Sequence, residues 1–82
     1  MRNEQIISLR EQQVLQLISK EYRTKDIAQE LYISVSTVES HRKNLLSKLD
    51  VRNSAGLVRR GFELGYLHLF PVSAHVLSFQ NI

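Results

Sequence analysis

Three residues, Tyr32-Ile33-Ser34, separate two stretches of helical periodicity in this 82-residue chain. Upstream, "TKDIAQEL" places Ile27, Ala28 and Leu31 on one side of about two helical turns. Downstream, "VSTVESHRKNLLSKL" places Val35, Val38, Leu45, Leu46 and Leu49 on one side of a helix predicted from Val35 to about Leu49. Thr24 is the expected N-cap of the first stretch and Ser34 that of the second, because a hydroxyl there satisfies a backbone N–H of the opening turn. So short a connection forces the two helices to cross sharply over a shared core. Arg42 falls within the apolar strip by angle, so its stem is expected along the core edge with the guanidinium outside. The other side carries Ser36, Ser40, Lys43, Asn44 and Ser47, all small, polar or basic.

Two further helices complete the reading. "SLREQQVLQLISKEY" opens with Ser8 and, three residues on, Glu11, the pattern of a capping box. Val14, Leu15, Leu17 and Ile18 follow at helical spacing, which predicts a helix from about Leu9 to Lys20. "DVRNSAGLVRRGFELGYL" predicts a last helix from Asn53 or Ser54, closed by Gly65 as a C-cap glycine. That helix has two apolar stripes: Leu57, Val58, Gly61 and Leu64 form one, Ala55 and Phe62 the other. A unit this small buries one of them properly and leaves the other as a candidate partner surface. The expected fold class is all-α, four short helices in a single domain over residues 1–67. Residues 68–82, "HLFPVSAHVLSFQNI", hold no Asp, Glu, Lys or Arg and form a C-terminal tail of unknown role.

Composition narrows the function. With no cysteine there is neither a disulfide framework nor a thiolate metal site, which suits a reducing compartment such as the cytoplasm. The opening residues lack the apolar run of a signal peptide, and no segment suits a membrane span. His41 sits beside the apolar strip with no second ligand at metal spacing, so it reads as a packed residue and no metal is expected. Ser36, Ser40, His41 and Asp50 supply the letters of a hydrolase triad. All lie on or near one helix and cannot enclose an oxyanion site, so no enzyme activity and no cofactor are expected. Charge is uneven. The chain is +3 overall, but residues 42–60 hold Arg42, Lys43, Lys48, Arg52, Arg59 and Arg60 against Asp50 alone. A surplus packed into one quarter of the chain favours a polyanion over mere solvation.

The short helix, tight turn and polar-sided helix make a helix-turn-helix unit over about residues 24–43, whose second helix suits the DNA major groove. Ser36 and Ser40 allow close approach, and Lys43 reaches guanine or a phosphate. Thr24, Lys25, Ser34 and Thr37 cluster at two helix starts, where backbone N–H groups favour phosphate.

The blocks "LREQQVLQLI", "TKDIAQEL", "YISVSTVESHRKNLLSKL" and "AGLV" resemble the LuxR/FixJ/GerE-type DNA-binding domain of bacterial transcription regulators, from about Ile7 to Leu67. The resemblance implies a tetrahelical domain with helix 3 as recognition helix and helix 4 in dimer contact. It implies base reading by Glu39, Ser40 and Lys43, and phosphate contacts near Thr24, Lys25, Thr37, Asn44 and Lys48. Two positions depart from the pattern. Arg23 stands where relatives have Ser or Thr at the start of helix 2, so Arg23 is expected on phosphate and Thr24 as the cap. Glu39 replaces a common Lys, and its carboxylate accepts from cytosine instead of serving a phosphate.

The expected function is sequence-specific binding of double-stranded DNA in transcription regulation, as the output domain of a response regulator or as a stand-alone regulator. The expected assembly is a homodimer through Ala55 and Phe62, with RNA polymerase as a further partner. No membrane and no small-molecule ligand are expected. Two alternatives stand beside it: a small helical protein-interaction module working through helix 4 and the apolar tail, and the helix-turn-helix piece of a sigma factor.

Overall fold

The computed structural model describes residues 6–68. They form four helices, α1 (Leu9–Ser19), α2 (Thr24–Leu31), α3 (Val35–Leu49) and α4 (Ser54–Glu63), with no strand among the described residues. The all-α, four-helix expectation holds. The tail from residue 69 onward lies outside the described residues.

Each helix start has a chemical reason. Ser8 Oγ accepts from the Glu11 N–H at 3.0 Å, and Glu11 Oε1 accepts from the Ser8 N–H at 2.8 Å, so the capping box is complete. Ser34 Oγ accepts from the Thr37 N–H at 3.1 Å and opens α3. Asn53 Oδ1 accepts from the Gly56 N–H at 3.0 Å and opens α4. At α2 the expectation fails. Arg23, not Thr24, is the extended residue before the helix. The Asp26 carboxylate, three residues on, accepts from the Arg23 backbone N–H at 3.1 Å and fixes the start one residue early. Thr24 is thereby the first helical residue rather than the cap. Arg23 has no side-chain acceptor, so only half of a capping box forms.

The core gathers Ile7, Val14, Leu15, Ile27, Ala28, Val38, Leu45, Leu49, Leu57 and Leu67 from all four helices and both flanking segments. α3 lies at its centre, packed on α1, α2 and α4. Two expected core residues lie outside. Val35 stands at the flank of the apolar strip in the first turn of α3 and is 43% exposed. Leu64 falls just beyond the end of α4 and is likewise half exposed. Gly65, at φ +84°, turns the chain so that Leu67 takes the inward place instead. The Gly61 carbonyl accepts from the N–H groups of both Tyr66 and Leu67, at 2.8 and 3.1 Å. A Cβ on Gly61 would come within 2.6 Å of Leu67 Cδ1, so this close return requires glycine. The stripes of α4 are now distinguished: Leu57, Val58 and Gly61 face the core, while Ala55 and Phe62 are exposed.

One ion pair ties the ends of this unit together. Lys48 Nζ, in the last turn of α3, lies 2.9 Å from Glu11 Oε1 and 3.3 Å from the Ile6 carbonyl oxygen. Burial pushes the Glu11 carboxyl up. The hydrogen bond from Lys48, the Ser8 N–H, the Lys48 charge and the Ser8 hydroxyl together outweigh it and hold the group below its ordinary value. No helix of the described residues is long and apolar enough to cross a membrane.

Candidate nucleic-acid interface

The turn between α2 and α3 is built from three dissimilar residues. Tyr32 adopts the left-handed region, φ 58° and ψ 44°, and closes α2. The Ile33 N–H then reaches back to the Ala28 carbonyl at 3.0 Å, while the Ile33 side chain packs at the core's edge. Ser34 is extended and carries the first hydrogen bonds of α3. Its hydroxyl also lies 3.1 Å from Ser36 Oγ and 2.8 Å from Thr37 Oγ1. A hydroxyl group cluster, exposed to solvent, therefore marks the start of α3, where backbone N–H groups and the helix dipole favour anions.

Along α3 the two sides separate as the helical period demands. Val38, Leu45 and Leu49 are buried; Ser36, Glu39, Ser40, Lys43 and Ser47 are exposed on the opposite side. The first four of these exposed residues are the expected base readers. Among the described residues neither Glu39 nor Lys43 takes part in an ion pair, although they stand one helical turn apart. Their hydrogen-bonding groups are thus available to a ligand. Thr37 and Asn44 are exposed on a flank of this strip, and Arg23 and Lys25 are exposed at the start of α2; Thr24 beside them is half-buried.

Lys48, expected on phosphate, has partners within the fold. Its ammonium is turned to Glu11 and the Ile6 carbonyl on the α1 side, which gives it a structural partner. Sequence spacing carries no sign of this pairing, because the partners are 37 positions apart. Arg42 lines a crevice of about 260 Å³ together with Ile18, Ile27 and Val38, in keeping with a stem laid along the core edge. His41 is half-buried. Among the described residues no group of three or more His, Cys, Asp or Glu side chains gathers as a metal ion would need.

Comparison with known proteins supports the same two-helix geometry. Residues 5–60 match the family described as "Bacterial regulatory proteins, luxR family". Over 53 residues the chain is 47% identical to the oxygen regulatory protein NreC of Staphylococcus haemolyticus, and 43% identical to that of Staphylococcus carnosus. Each match covers 65% of this chain and 24% of the relative, so the chain spans about a quarter of the length of these curated relatives. The solved structure of the transcription factor GerE superposes with a TM-score of 0.73 at 35% identity, over 84% of this chain and all of that one. The response regulator ChrA of a heme-sensing two-component system superposes with a TM-score of 0.76 at 27% identity, over 80% of this chain and 33% of that one. The chain belongs to the luxR family of bacterial regulatory proteins, and its four helices are that family's DNA-binding unit for transcription regulation.

Proposed function

We propose that α3 lies in the major groove, with Ser36, Glu39, Ser40 and Lys43 turned to base edges. Arg23, Thr24, Lys25, Thr37 and Asn44 then meet the phosphates on either side. Lys48 is left out of that set because its ammonium is already held by Glu11. The observation that carries this reading is the exposed hydrogen-bonding strip of α3, opposite a buried apolar one and without internal ion pairs. Glu39 accepts from cytosine, so the preferred site differs from that of relatives with a lysine there. The domain works in the cytoplasm as the output module of a response regulator, or as a regulator acting alone, and recruits or obstructs RNA polymerase.

The test begins with duplexes selected from a random pool at two salt concentrations. Lys43→Ala is expected to weaken binding to the selected duplex by about 1–3 kcal/mol and to relax one base position if Lys43 meets guanine. If Lys43 meets phosphate, every duplex weakens alike and the salt dependence becomes shallower. Unchanged binding to every duplex would remove α3 as the reader.

Two copies on two half-sites are proposed to meet through Ala55 and Phe62, the apolar stripe of α4 that the core leaves out. Phe62→Glu is expected to abolish cooperative binding to a two-half-site duplex while a single half-site is bound as before. Gel-shift titrations on the two duplexes measure this, and equal cooperativity in parent and variant would reject the interface.

A further inference from the structure

Thr37 and Asn44 flank the exposed strip of α3 on one side, and by the helical period Arg42 lies on the other flank, between that strip and the core. Arg42 is half-buried. It shares its crevice with Thr24 at the start of α2 and Ser54 at the start of α4, beside apolar Ile18, Ile27 and Val38. An arginine stem laid along such walls gives up rotamer freedom before any ligand arrives, so its guanidinium is held near one position. Yet Arg42 takes part in no ion pair among the described residues, although Glu21 lines the same crevice. A half-buried guanidinium, permanently charged and donor-only, ordinarily finds an anion.

We propose that Arg42 contacts a DNA phosphate, on the side of α3 that also meets Arg23, Thr24 and Lys25. The inference rests on the seating of α3 in the major groove put forward above. That groove is about 12 Å wide and a helix with its side chains is about 10–12 Å across, so both flanks of α3 come close to a phosphate backbone. Thr37 and Asn44 serve one flank. Arg42 is the cation that α3 offers on the other, placed beside Thr24 where α2 starts. Its planar fork matches two phosphate oxygens at once. Such a contact carries no sequence information; it fixes how deeply and in what register α3 enters the groove.

Arg42→Met keeps an apolar stem against the crevice and removes the charge. Gel-shift titrations of the full chain use the selected duplex and an unrelated duplex of equal length. Arg42→Met is expected to weaken both by the same factor, about tenfold at about 50 mM salt and about threefold at about 200 mM, because one fewer counterion is released. Arg42→Lys keeps the charge, so it restores the parent's salt dependence and recovers part of the affinity, the two-pronged fit being lost. The urea midpoints of both variants are expected to stay near the parent's. Parent-like binding by Arg42→Met at both salt concentrations would overturn the inference. A loss confined to the selected duplex would do so too, since Arg42 would then read a base. So would a lowered urea midpoint in Arg42→Met that Glu21→Gln reproduces, with the salt dependence unchanged, because the guanidinium would then serve Glu21. Failure of the parent to bind any duplex, or parent-like binding by Lys43→Ala, would overturn the seating of α3 instead.

Discussion

Leu45→Ala is expected to destabilise the domain by about 2–5 kcal/mol. Leu45 is 0% exposed in the C-terminal half of α3, on the side opposite the proposed reading strip, and it belongs to the cluster shared with α1, α2 and α4. Removing its branched end leaves a cavity that four short helices cannot fill without losing other contacts. At about 0.05–0.15 kcal/mol per residue, a chain of 82 residues has a total stability of about 4–12 kcal/mol, so this one change removes a large share of it. Urea denaturation followed by helical circular dichroism measures the loss. Leu45→Met, which keeps the volume, is expected to cost less than about 1.5 kcal/mol. Equal midpoints for parent and Leu45→Ala would contradict the burial of this side of α3.

Lys48→Met is expected to cost about 2–3 kcal/mol near neutral pH, because it keeps the aliphatic stem but leaves the buried Glu11 carboxylate without its cation. The pH dependence identifies the source. In the parent, Glu11 titrates below its unfolded value of about 4.3, so its contribution is fully present above that pH and is lost as pH falls through the lowered folded value. In Lys48→Met the hydrogen bond and the charge of Lys48 are gone, and burial of the carboxylate opposes folding at neutral pH. The stability gap between the two proteins therefore narrows as pH falls from neutral toward the lowered folded value of the parent. Thermal or urea denaturation across pH 3–7 tests this, and a gap that stays constant through that range would assign the loss to packing instead.

What the sequence makes legible is local. The Ser8–Glu11 box, the Ser34 cap, the Asn53 start and the period of α3 are all set by residues within four positions of each other, so spacing exposes them. The start of α2 is less legible, because the cap rule looks for a hydroxyl and there a carboxylate inside the helix supplies the bond. Val35 and Leu64 carry the correct period but stand at helix ends, where periodicity alone does not say whether a neighbour covers them. The two stripes of α4 were ambiguous for the same reason; only the approach of α1 and the return of Leu67 over Gly61 separate inside from outside. Lys48 was expected on phosphate. Its partner within the fold, Glu11, is visible as a capping residue, and that role masks the second one across the fold. The exposed strip of α3 was legible because an amphipathic helix declares both of its sides at once.

The bond from Lys48 to the Ile6 carbonyl has a mechanical side. α3 is a rod of about 22 Å, from its 15 residues at about 1.5 Å each. Its final turn is clamped to the backbone at the point where the chain joins the bundle. The far end of that rod is thus held by two polar contacts as well as by its buried side.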